Sequence, residues 1–374
     1  MEIRCDFDSG NIQVLDASDP QDVRLALRPD LNSPHFQWFH FCADGLTPGQ
    51  RYTFNLTNAG HSSYTGGWPG YRALASYDQR DWFRVDSSYD GQSLRFSLDA
   101  EQPRAWFAYF EPYSRERHAA LVRQAIEQAG AELVATGRSI EGRDIPLLRI
   151  RRNPQATRKL WLIAQQHPGE HMAEWFMEGL IERLQQKDAE LDYLLQHAEL
   201  YLVPNMNPDG AFRGHLRTNA AGTDLNRAWA SPSAETSPEV LFVQAHMRQQ
   251  GVDLFLDIHG DEEIPYVFAA GCEGNPGYSE RQAYLEAEFR KRLEERGEFQ
   301  SLHGYPRSAP GKANMTLACN HVGETYQCLA LTLEMPFKDH DLAADARTGW
   351  SGARAKRLAG AVLSTLSSLV EELR

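Results

Sequence analysis

The stretch KLWLIAQQHPGE, residues 159–170, is an apolar run that ends abruptly in a His-Pro-Gly-Glu turn. Three other runs share its texture: ELYLVPN (199–205), VDLFLDI (252–258), which leads into His259, and LALTLEM (329–335), which delivers Glu334. Short segments that are apolar on both faces are the strands of a sheet covered by helices on either side. Helical spacing occupies the intervals at about 170–186, 238–250, 280–296 and 345–371. Strands mixed with helices in this way define an α/β domain, placed here at 113–374.

Upstream of that domain the texture is all-β. FQWFHF (36–41), RYTFNL (51–56), SLRFSL (93–98) and AWFAYF (105–110) are short, aromatic-rich and mostly alternating. Asp44-Gly45, Pro48-Gly49, Gly66-Gly67, Pro69-Gly70 and Asp90-Gly91 punctuate them as turns. Strands at this spacing suggest a β-sandwich over 1–112. The switch comes at SRERHAALVRQAIEQAG (114–130), which reads as a helix with Ser114 as its N-cap.

Composition narrows the function. The 374 residues carry 38 basic and 51 acidic side chains, a net charge of −13, which repels nucleic-acid phosphates and anionic lipid. No apolar stretch approaches the roughly 20 residues of a membrane span. The opening MEIRCDFDSGNIQVLD has neither the basic head nor the apolar run of a secretion signal. Cys5, Cys42, Cys272, Cys319 and Cys328 form no CxxC pair and are odd in number, so reduced thiols and a cytoplasmic location are expected. No phosphate-binding loop, dinucleotide fingerprint, G-x-S-x-G or HExxH occurs.

Chemistry gathers at the strand ends, where open α/β sheets place their sites. His167, Glu170 and His259 offer two imidazoles and a carboxylate, a three-ligand zinc site with a fourth corner open. HPGEH (167–171) also spells H-x-x-E-H, in which both histidines bind metal from one helix. Pro168-Gly169 argues against that geometry, because proline belongs in a first helical turn and leaves His167 outside the helix. His171 then remains a minor candidate. Between the second and third runs, PNMNPDGAFRGHLRTNAAGTDLNRAW (204–229) reads as a long loop, with Arg217 and Arg227 beside Asn- and Gly-rich backbone. Arginine pairs with carboxylates through two parallel hydrogen bonds, so this loop suggests capture of a carboxylate-bearing substrate.

HPGE (167–170), NPDG (207–210), DLNR (224–227), DIHG (257–260) and a strand ending in Glu334, in that order, resemble the zinc carboxypeptidase family. YTFNLTNAG (52–60), GWPGYRALASYD (67–78), WFRV (82–85) and AYFEPYS (108–114) resemble the sandwich module of its cytosolic branch. The resemblance implies a mixed sheet flanked by helices, preceded by the sandwich, and one zinc ion per chain. It matches His167, Glu170 and His259 to the metal ligands and Glu334 to the general base. Arg217 matches the arginine that polarises the scissile carbonyl, and Asn226 with Arg227 the pair that holds the terminal carboxylate. The implied substrates are C-termini of peptides or proteins, with neither nucleic acid nor membrane as partner.

Two features of the family are harder to place. RSAPGKANMTLACN (307–320) lies where the specificity pocket forms, and Lys312 or Arg307 there can attract an acidic terminal side chain, as glutamate-trimming relatives prefer. The substrate-capping tyrosine falls at Tyr326 or Tyr305. Arg143, in SIEGRDI (139–145), reads as a surface turn residue. Two rivals stand beside this reading: a zinc deacylase of N-acyl amino acids, which shares the related zinc core, and a binding protein with a silent catalytic domain. The long sandwich favours the peptidase over the first, and the intact set of polar residues counts against the second.

Overall fold

The computed structural model describes residues 1–186 and 188–373. Two five-stranded sheets form the amino-terminal part, one including His40–Asp44 and Arg104–Ala108, the other Arg51–Leu56 and Leu94–Asp99. Alternation turns Phe41 and Phe107 of the first sheet toward Phe54 and Phe96 of the second, with ring centroids 4.5 Å apart for Phe54 and Phe107. That is the interior of a sandwich. The segment 36–39, expected as strand, is irregular, and pairing begins only at His40. Its side chains are engaged elsewhere: Gln37 bonds the backbone of Tyr64 and the Tyr109 hydroxyl, and Trp38 Nε1 donates to Ser9 O.

Ser114 caps the helix Arg115–Glu127 by accepting from Arg117 N, as its sequence position predicts. Beyond it lies a seven-stranded mixed sheet. Its centre is four parallel strands in the order Ala198–Val203, Arg158–Ala164, Leu254–Asp261, Leu329–Pro336, with antiparallel strands at both edges. Alternation along Arg158–Ala164 sends Leu160 and Leu162 to one face and Trp161 and Ile163 to the other. The first face is covered by helices Met172–Gln185, Ala189–His197, Glu280–Glu294 and Gly352–Leu369, the second by Pro238–Gln250 and Ala318–Tyr326. The short helices Ala189–His197, Pro208–Arg213 and Ala318–Tyr326, of nine, six and nine residues, were not among those expected.

The sandwich and the sheet share one continuous apolar core. Tyr109 stacks on Phe337 with centroids 4.6 Å apart, and Trp175 donates to Glu111 O across the junction. The strand Arg158–Ala164 lies between the strands that follow it in sequence, so its successors leave in opposite directions. A crevice opens at that divergence, at the carboxyl ends of the strands. Among the described residues no helix is long and apolar enough to cross a membrane, and the five cysteines are unpaired.

Candidate metal centre and cleft

The strand Arg158–Ala164 ends in Gln165, a non-glycine residue at φ 57°, and this left-handed turn redirects the chain so that His167 faces the crevice. Its cost is met locally: Gln165 donates to Pro168 O and accepts from Asn205. Gly169 is required by close approach, since a Cβ there would lie 2.8 Å from Leu216 O. The turn places Glu170 two residues before the start of the helix Met172–Gln185.

His167, Glu170 and His259 converge, with one ligand atom from each lying within 4.8 Å of the others, all buried. His167 Nδ1 is 2.7 Å from Glu170 Oε1, and His259 Nδ1 is 2.7 Å from Glu170 Oε2. Both rings therefore turn the same nitrogen toward one carboxylate. Their far nitrogens face carboxylates too: His167 Nε2 is 3.1 Å from Asp224 Oδ1, and His259 Nε2 is 2.9 Å from Asp257 Oδ2. The second is a close ionic contact set off the line of a hydrogen bond. Carboxylates behind imidazoles fix tautomer and orientation at metal centres.

The electrostatics fit a cation. Burial disfavours charge on Glu170, yet His167 and His259 hold its carboxyl well below the usual range. Burial likewise opposes a charged His259, yet Asp257 and Glu170 raise its proton affinity well above the ordinary value. The pocket thus attracts positive charge, which a divalent ion supplies while leaving both imidazoles neutral.

Glu334 stands on the neighbouring strand, and its Cα pairs with that of His259 in the parallel ladder. Its Oε2 is buried and unpartnered, while Oε1 lies 3.1 Å from the Tyr305 hydroxyl. Burial, then repulsion from Glu170 and Asp261, holds the Glu334 carboxyl well above the usual range, with His259 opposing. Tyr305 Oη donates to Asp261 Oδ2 at 2.6 Å, and its ring packs edge-on against Phe268. Tyr326, by contrast, ends the helix Ala318–Tyr326 and packs into the core on the sheet's second face, away from the cleft. Of the two tyrosines offered by the sequence, Tyr305 is the one that lines the cleft.

Around the cluster lies a cleft of about 730 Å³ that Arg217, Asn226 and Arg227 also line. Arg217 Nε donates to Asp224 Oδ2 at 2.8 Å. Burial works against its charge, but Asp224 and further acidic neighbours more than offset that and keep it protonated. Asn226 accepts from Ala318 N, which ties the arginine loop to the helix behind it. Lys312 is exposed and outside the cleft, because the turn 309–312 swings it to solvent; Arg307 lines the rim instead, 3.2 Å from Glu273. Arg143 is a brace, bonded to Asp209 and stacked over Phe212. A larger groove of about 1240 Å³, at His40, Trp175 and Lys356, contains none of the cluster.

Asp224 escaped the sequence reading although it stands inside DLNR. One carboxylate among polar letters gives no sign that it serves His167, 57 residues away, and Arg217 together.

Comparison with known proteins bears on what this cleft does. Residues 3–110 match the cytosolic carboxypeptidase N-terminal domain, and residues 124–341 match zinc carboxypeptidase. The chain belongs to the zinc carboxypeptidase family. It is a zinc metallocarboxypeptidase carrying the sandwich of the cytosolic branch. A metallo-carboxypeptidase from Pseudomonas aeruginosa, solved in complex with (2-guanidinoethylmercapto)succinic acid, is 67% identical, with all of both chains covered and a TM-score of 0.99. One from Burkholderia cenocepacia is 42% identical over 99% of each chain, with a TM-score of 0.96. Human cytosolic carboxypeptidase 1 is 25% identical over 71% of this chain, which spans only 26% of that larger protein. The deacylase and silent-binding readings are not favoured beside a carboxypeptidase match in both parts of the chain.

Proposed function

We propose that this metallocarboxypeptidase removes the last residue of peptides or proteins in the cytoplasm, with residues 1–112 as a sandwich module and 113–374 as the catalytic domain. His167, Glu170 and His259 would hold the zinc ion, and the observation that carries this is their convergence within 4.8 Å. Zinc, when bound, acts as a Lewis acid toward water and the scissile carbonyl. Glu334 takes a proton from the attacking water on its unpartnered Oε2 and returns it to the leaving amine. Arg217 donates to the oxyanion as charge develops there. Asn226 and Arg227 receive the terminal carboxylate, and this requirement restricts cleavage to chain ends. Tyr305 closes over the substrate beside the base. Glu334→Gln is expected to retain one zinc per chain by metal analysis and to lose on the order of a thousand-fold in kcat. Unchanged turnover would remove Glu334 from that role.

An acidic terminal side chain is the first reading of specificity, supported by Arg307 at the cleft rim. A basic one is the second, supported by Glu273 in the cleft wall and by the guanidinium of the ligand bound to the Pseudomonas protein. Peptides differing only in a final Glu, Lys or Leu separate them. The acidic reading predicts the highest kcat/KM for Glu, and Arg307→Ala should erase that advantage.

A further inference from the structure

The loop that carries Arg217 is gripped by the sandwich. Asp30, buried in the amino-terminal part, accepts from three consecutive backbone amides of this loop: Leu216 N at 2.6 Å to Oδ1, with Arg217 N and Thr218 N both at 2.9 Å to Oδ2. The Thr218 hydroxyl adds a fourth bond at 3.0 Å. On either side of Asp30's grip, Leu31 N donates to His215 Nε2, Asn32 Nδ2 to Ala220 O and Asn11 Nδ2 to Gly214 O. The side chain of Arg217 is framed as well: its guanidinium carbon lies 5.5 Å from the ring centroid of Tyr64, another sandwich residue, while Nε is taken by Asp224. Among the described residues, its Nη1 and Nη2 donate to no protein group, which leaves them for the cleft.

We propose that Asp30 is a positioning residue for Arg217, and that the sandwich thereby sets the geometry of carbonyl polarisation in the catalytic domain. The proposal rests on the reading of Arg217 given above. A carboxylate that accepts four donors fixes three successive residues at once, and it does so through charge-assisted bonds in a buried setting. Such a bracket holds a donor where the oxyanion forms, and displacements near an ångström at such a donor are felt strongly in rate.

The test is a kinetic cycle on the full-length zinc enzyme: wild type, Asp30→Asn, Arg217→Ala and the double variant, each checked for zinc content. Arg217→Ala should lower kcat on the order of a hundred-fold or more. Asp30→Asn should lower kcat about ten-fold with KM little changed, and should add nothing once Arg217 is absent. Thr218→Val removes only the hydroxyl bond and serves if Asp30→Asn does not fold; it should cost kcat a few-fold and lose that effect in the Arg217→Ala background. Effects that multiply in full, or an unchanged kcat in Asp30→Asn, would overturn the positioning role. An unchanged kcat in Arg217→Ala would instead overturn the role of Arg217 itself.

Discussion

His167 and His259 can be set beside His40 and His171, two pairs of histidines buried about equally but in opposite surroundings. In the first pair every ring nitrogen lies near a carboxylate. In the second, Trp38 lies between the rings, stacked on His171 at 4.4 Å and edge-on to His40 at 6.4 Å. Burial lowers both His40 and His171 to about 3, with each otherwise meeting only a hydroxyl or a backbone amide. Burial alone therefore makes a histidine a neutral packing unit, and carboxylates convert it into a cation binder. The boundary between the two cases falls within one short motif. His167 and His171 stand four residues apart, yet the turn at Pro168-Gly169 separates them, and His171 begins the following helix with its ring accepting from Tyr113 N.

The strongest way to break this contrast is Glu170→Ala. It removes the carboxylate both imidazoles share, and metal analysis should find zinc near zero, with hydrolysis abolished; full zinc retention would refute the ligand set. Asp224→Asn is milder, because it loosens the orientation of His167 while leaving the three proposed ligands in place. A loss of about ten- to a hundred-fold in zinc affinity is expected from competition with a chelator. Acid sensitivity sharpens the other half. The unfolded chain protonates His40 and His171 near 6.5, whereas the folded chain resists until about 3. Their contribution is thus whole above 6.5 and drains away as pH falls toward 3, by at most about 1.4 kcal/mol per pH unit for each ring. His40→Asn should flatten the fall of melting temperature across that window. The smallest effect belongs to His171→Asn, which keeps an acceptor for Tyr113 N and should leave zinc content and kcat within about two-fold; zinc loss there would erase the distinction between the pairs.

The parts legible in the sequence are those set by strand periodicity. Apolar runs at 159–166, 252–258 and 329–335 locate the strands, and a polar residue at the carboxyl end of each run or just past it is carried to the sheet's mouth whatever the loops do. His167, His259 and Glu334 were visible for that reason. On irregular chain, residues given a role by a motif such as HPGE or DLNR were legible, and those outside one were not. Tyr305 and Lys312 lie on one long loop, and only its folded path decides which of them faces the cleft. The irregular segment 36–39 failed differently, because its alternating aromatics satisfy a strand pattern while Gln37 and Trp38 are committed to side-chain bonds. Asp30 is separated from Leu216 by 186 positions, and nothing in its local context marks it.

The pairing of His259 with Glu334 across a single rung of the parallel ladder has a practical outcome. Backbone hydrogen bonding, rather than any surface segment, sets the spacing between His259 and Glu334, the proposed metal ligand and the proposed base. The rim at 307–317, beyond Tyr305 and its bond to Glu334, can then be recoded to admit a new terminal side chain while that spacing stays constant. An engineer seeking altered selectivity has that rim to vary and those two strands to leave alone.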